Sequence, residues 1–156
     1  MPVRVVVLGP GGAGKSTFSR QLAAATGAEW IEIDALFWQP GLTPLTLPEW
    51  QALQERTFRG DGWIADGDLG PHDAVEIRLR HADAVVLLDV PVWRCVWRTL
   101  RRSRERRDYW MWVATWRRRW RPLLLEVIAR HPDAHLLIVR NAADQQRAFE
   151  RLASSA

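Results

Sequence analysis

The chain has 156 residues, enough for one independent core, and its 47% apolar and 26% charged composition is that of an ordinary globular domain apart from ten tryptophans. A net charge of +4 favours anionic partners, nucleotide, nucleic acid or membrane surface, and the arginines crowd into residues 94–107 and 117–121. One cysteine, Cys95, excludes an internal disulfide, no apolar run approaches the roughly 20 residues of a membrane span, and no signal-peptide pattern precedes the first strand, so the expectation is a single cytoplasmic domain over residues 1–156.

In chain order the elements alternate. The β-branched run "VRVVVL" (3–8) reads as a buried strand, and after a glycine-rich loop "KSTFSRQLAAAT" (15–26) reads as a helix closed by Gly27. "EWIEID" is a second strand, "PEWQALQERTFRG" a helix with Pro48 near its first position, and "GWIADG" a third strand. "DAVEIRLRHA" is a short helix and "DAVVLLDV" a fourth strand. Helical segments over about 92–107 and 109–130 follow, the second interrupted or restarted at Pro122, then a fifth strand "AHLLIVR" and a terminal helix "AADQQRAFERLA". This alternation predicts an α/β fold, a parallel sheet with helices on both faces.

Residues 8–17, "LGPGGAGKST", contain G-x-x-x-x-G-K-[ST] between a strand and a helix, which is the context the motif requires. The pattern points to Gly11, Gly12, Ala13, Gly14, Lys15, Ser16 and Thr17 as the cradle for the phosphates of ATP. Glycines let backbone N–H groups turn inward, and the helix N-terminus adds partial positive charge. Lys15 is the only lysine among 22 Lys and Arg residues. A compact ammonium fits a ring of backbone amides, where a planar guanidinium prefers forked contacts. Ser16 is the expected ligand of Mg²⁺. Without a second lysine there is no guanine-reading Asn-Lys-x-Asp element, and small phosphotransferases remain.

Acids follow the strands: Asp34 after the second, Asp66 and Asp68 after the third, Asp89 after the fourth. In parallel sheets such positions rim one cleft. Asp66 is the expected metal-organising carboxylate, and Asp34 is expected to orient or deprotonate an acceptor hydroxyl. Trp112, Trp116 and Trp120 recur at i, i+4 and i+8, and Trp93 and Trp97 repeat the spacing. They read as packing surface, as a stacking platform beside arginines, or as a dimer interface, so that a monomer and a homodimer through these helices are both expected forms.

The segments "LGPGGAGKST", "DALFWQPG", "IADGD" and "EIRLRHADAVVLLDVP", with the arginine-rich helix after them, resemble the adenylate kinase-related proteins of the FlaR-type DNA topology modulation family and, more distantly, adenylate kinase. The resemblance implies a three-layer P-loop fold with strand order 2-3-1-4-5 and a short lid at about 101–108. It implies that Arg98 and Arg102, nine and thirteen residues after Asp89, clamp base and phosphates, with adenine reaching Asn141. Asp34, Phe37, Asp68 and Arg78 would face the acceptor, Arg78 holding an anion. The expected function is transfer of the γ-phosphoryl group of Mg-ATP to a small hydroxyl- or phosphate-bearing acceptor. The competing class is a nucleotide-binding regulatory or DNA-interacting protein with little turnover.

Overall fold

The computed structural model describes residues 3–39, 43–70, 73–91, 93–95, 97 and 107–155. Five strands form one parallel sheet: β1 (Arg4–Leu8), β2 (Glu29–Glu32), β5 (Trp63–Asp66), β6 (Ala84–Leu88) and β7 (His135–Val139). A separate antiparallel hairpin joins β3 (Trp38–Gln39) to β4 (Thr43–Pro44). The sheet order is β2-β5-β1-β6-β7. It differs from the expected 2-3-1-4-5 because the hairpin places two short strands in the chain between the second and third strands of the sheet. Strands of two residues carry no periodicity to read.

The sheet is sandwiched. Successive side chains of a strand point to opposite faces, and both faces here are covered, so β6 and all of β1 after Arg4 are apolar. Val6, Leu8, Val85 and Leu87 enter one core with Trp50, Phe58, Trp116 and Ile128. Val5, Val7, Val86 and Leu88 enter the other with Phe18, Leu22, Ala148 and Leu152. The first core lies under α3 (Leu47–Thr57), α4 (Val75–Leu79) and α5 (Arg107–Ala129), and the second under α1 (Lys15–Thr26) and α6 (Ala142–Ala153). No described helix is long and apolar enough to cross a membrane.

Local chemistry sets the element ends. The N–H of Gly27, at φ 73°, closes α1 on the Ala23 carbonyl at 2.9 Å. Thr46 and Glu49 form a capping box at the start of α3, with Pro48 in its first turn. The helix α5 runs unbroken through Pro122, where a restart was expected. Gly9 has φ 151°, and a Cβ there would lie 2.8 Å from the Leu88 carbonyl oxygen, so only glycine lets the chain leave β1 beside β6.

Candidate active site

Register brings the site together. Val7 of β1 pairs with Asp66 of β5, and Asp66 with Glu32 of β2, so three strands end level at the carboxyl edge of the sheet. The glycine loop leaves β1 at this edge and feeds α1, with Gly14 in the left-handed region at φ 96° as its N-cap. The first helical bond runs from Phe18 N–H to the Gly14 carbonyl at 3.0 Å, so Lys15, Ser16 and Thr17 occupy the first turn, where N–H groups have no partner within the helix. Lys15 Nζ folds back to donate to the carbonyls of Gly9 and Pro10 at 2.9 and 3.0 Å.

A cavity of about 210 Å³ opens at this point. Gly11, Gly12, Lys15 and Ser16 line one side, and Glu32, Asp34, Asp66, Gly67 and Asp68 the other. Four carboxyls therefore face one ammonium. That excess of like charge is relieved by a bound cation or by proton uptake. Asp34 lies in the first turn of a short helix, α2 (Ile33–Phe37), where the sequence suggested a continuing strand. Burial pushes its carboxyl above the ordinary aspartate value, with the Lys15 charge opposing. Burial pushes Asp68 up in the same way, again opposed by Lys15. Asp66 is 3% exposed; its Oδ2 accepts a hydrogen bond from Trp30 Nε1 at 3.2 Å, while its Oδ1 is buried without a partner. An unmatched buried carboxylate oxygen is costly, and in a cavity that Ser16 also lines it fits a Mg²⁺ ion, which takes one or two protein oxygens and fills its shell with water and phosphate.

Several sequence expectations land elsewhere. Arg78 is fully buried, not poised for an acceptor anion. Its Nη1 donates to Asp73 Oδ1 and Gln54 Oε1 at 2.8 and 2.9 Å, and its Nη2 to Asp73 Oδ2 and the Gly67 carbonyl at 2.6 and 3.0 Å. It is a strut under the loop that carries Asp66 and Asp68. Phe37 packs edge-on against Trp38 and Trp50, at 5.1 and 5.4 Å between ring centroids, and belongs to the core. Asn141 caps α6, its side-chain oxygen accepting from Asp144 N–H at 2.9 Å, and does not line the cavity. Ala13 is buried within the loop and Thr17 exposed. Arg98 and Arg102 lie outside the described residues, as do positions 101–106 of the expected lid.

The tryptophan stripes divide. Trp116 is fully buried and Trp120 packs partly against the core, whereas Trp93 and Trp97 are 68% and 56% exposed. The Trp112 side chain lies outside the description. Sequence reasoning also missed Glu32, which no motif marks, and the role of Asp89. That carboxylate, 1% exposed, accepts from Arg117 Nε and Arg121 Nε at 3.1 and 3.0 Å and ties α5 to the end of β6. The i, i+4 spacing of the two arginines was the available signal.

Another cavity, about 800 Å³, lies among α3, α4 and α5, lined by Leu47, Gln51, Glu55, Arg80 and His131 among others. It holds none of the glycine loop. The smaller one is the candidate site, because the glycine loop, an ammonium and an unmatched carboxyl oxygen converge only there among the described residues.

Sheet order, glycine loop and helix layers define a protein with the P-loop kinase fold. Solved structures of that fold superpose over nearly the whole chain. Shikimate kinase from Acinetobacter baumannii, in complex with shikimate, is 21% identical with a TM-score of 0.66, covering 99% of this chain and 93% of its own. A sugar kinase from a Janibacter species is 21% identical with a TM-score of 0.58, covering 99% and 92%. A gluconokinase from Sinorhizobium meliloti is 20% identical with a TM-score of 0.57, covering 99% and 95%. No protein-family model matches the chain, and no curated protein does.

Proposed function

We propose that the protein is a small-molecule kinase that transfers the γ-phosphoryl group of ATP to an acceptor hydroxyl. The observation that carries this is the single cavity in which Lys15, Ser16 and Asp66 face Asp34 and Asp68 at the carboxyl edge of the sheet. The superposed structures are small-molecule kinases, which supports the reading.

Each residue has a part in this mechanism. The amides of the loop and of the α1 N-terminus hold the phosphates, and Lys15 leaves its two loop carbonyls to neutralise charge on the oxygens of the transferred group. Ser16 and Asp66 Oδ1 would hold Mg²⁺, which would supply neutralisation of the nucleotide's phosphate charge. Trp30 fixes the Asp66 carboxylate by bonding its other oxygen. Asp34 and Asp68, both raised by burial, offer carboxyls to the acceptor hydroxyl. The FlaR-type likeness and use of Arg98 and Arg102 in closing the site belong to the same proposal.

The test is nucleotide binding and turnover. ATP with Mg²⁺ should raise the melting temperature, since a ligand at 100 times its Kd stabilises by about 2.7 kcal/mol. Lys15→Ala should lose most of that shift and nearly all turnover while keeping the fold. A thermal shift unchanged in Lys15→Ala overturns the reading.

A further inference from the structure

A second cavity adjoins the first. It has a volume of about 190 Å³ and is lined by Asp68, Asp73, Val75, Trp120, Leu124 and Val127, with Leu123 at its rim. Asp68 lines both spaces, and Asp34 only the first. We propose, building on the kinase reading, that this cavity is the acceptor subsite and that it selects hydroxyl compounds with an apolar face and no anionic group, with Asp68 receiving the hydroxyl.

Three observations converge. First, the cavity's apolar wall is built by α4 and α5: Val75, Leu124 and Val127, with the Trp120 indole packed partly against the core. Such a wall takes a hydrocarbon or sugar-ring face and gives nothing to a hydrated charge. Second, Asp68 Oδ1 accepts from Gly70 N–H at 3.1 Å, while Oδ2 is buried with no partner inside the fold. A carboxyl oxygen so placed accepts from a donor, and a ligand hydroxyl that reaches it as the carboxyl turns about Oδ1 relieves the desolvation. Third, the arginine beneath this cavity has no charge to offer an anion. Both Nη atoms of Arg78 are engaged, its one unpartnered donor, Nε, is buried, and Asp73 takes the guanidinium in a bidentate pair whose side chains are 0% and 3% exposed. An anion entering this cavity therefore meets Asp68 and Asp73, with Arg78 already neutralised and no cation among the described residues that line it.

The step balances without a further reagent. The acceptor O–H gives its proton to Asp68 Oδ2, the acceptor oxygen forms the new bond to Pγ, and the bond from Pγ to the β,γ-bridging oxygen breaks with its electron pair leaving on ADP. Asp68 then returns the proton to solvent.

The test uses full-length protein with matched acceptors: adenosine against AMP, and a hexose against its aldonate and its 6-phosphate. Product is read by ATP-dependent mass increase, and binding by the Trp120 indole N–H resonance in protein loaded with a non-hydrolysable ATP analogue. Neutral members should shift Trp120 and be phosphorylated, with their anionic partners at least about tenfold poorer in kcat/KM. Asp68→Asn should lower kcat by about 10²–10⁴-fold. Trp120→Ala should raise the acceptor KM about tenfold while leaving the KM for ATP in place. Leu123→Lys, a change at an exposed rim position, should improve the anionic members. Preference for an anionic member in the wild type, or no Trp120 response to any neutral member, overturns the inference and leaves ATP binding standing. Loss of the ATP-dependent thermal shift dependence on Lys15 removes the kinase reading itself.

Discussion

Replacing Arg78 separates a structural strut from an anion-binding residue. In Arg78→Met a side chain of similar length keeps the volume but removes four hydrogen bonds, to Asp73 Oδ1 and Oδ2, Gln54 Oε1 and the Gly67 carbonyl. The Asp73 side chain, 3% exposed, is then a buried carboxylate retaining only the Leu69 N–H at 3.2 Å. Removing one partner of a buried pair destabilises by about 3–5 kcal/mol, because the remaining charge has lost its compensation. For a chain of this size that corresponds to a fall in melting temperature of roughly 6–20 °C. The double variant Arg78→Met/Asp73→Leu removes both charges and should recover part of the loss, giving a coupling readable by urea unfolding of wild type, both singles and the double. Since Gly67 and Asp68 stand on this strut, the single variant should also lower kcat. A loss of stability under about 1 kcal/mol, accompanied by lost affinity for an anionic acceptor, would show that Arg78 meets substrate and that the strut assignment is wrong.

Two further outcomes follow from backbone geometry and titration. Gly9→Ala places a Cβ 2.8 Å from the Leu88 carbonyl oxygen at a backbone angle that side chains avoid, and should destabilise by about 1–3 kcal/mol with weaker ATP binding; an unfolding midpoint equal to wild type refutes the close approach. Asp68 is raised in the folded state, so between the ordinary aspartate value of about 4 and its folded value the native protein holds more protons than the unfolded chain, and stability falls as pH rises. Asp68→Asn removes that titration, so the variant should gain stability relative to wild type as pH rises through this window and be at least as stable at neutral pH. Urea midpoints from about pH 3.5 to 7 check it, and a difference independent of pH sinks it.

The glycine-loop half of the candidate site was legible in the sequence because its parts are neighbours in the chain. A β-branched strand, glycines at fixed offsets, a lysine and a helix start lie within residues 3–26, and each follows from local backbone chemistry. The three central sheet strands, β1, β5 and β6, were legible for the same reason, since doubly covered strands are short, nearly continuous apolar runs. Asp66 and Asp68 could be placed at the cavity because strand ends share an edge in a parallel sheet.

What the sequence could not decide is which charges are already spent. Arg78 in "EIRL" reads as a free cation, but α3 brings Gln54 and the preceding loop brings Asp73 into its reach, and only the packed fold shows the guanidinium consumed. The tryptophans make the same point: Trp93 with Trp97 and Trp116 with Trp120 share one spacing, yet the first pair is exposed and Trp116 is wholly buried. Helical period tells which residues share a face and is silent on what covers that face. The second cavity, too, exists only because α5 lays Trp120, Leu123 and Leu124 across α4 beside Asp68, about fifty residues away in sequence and adjacent only in the fold. Local periodicity is written in neighbouring residues, whereas the partner of a buried charge is set by distant segments that meet only once the core has closed.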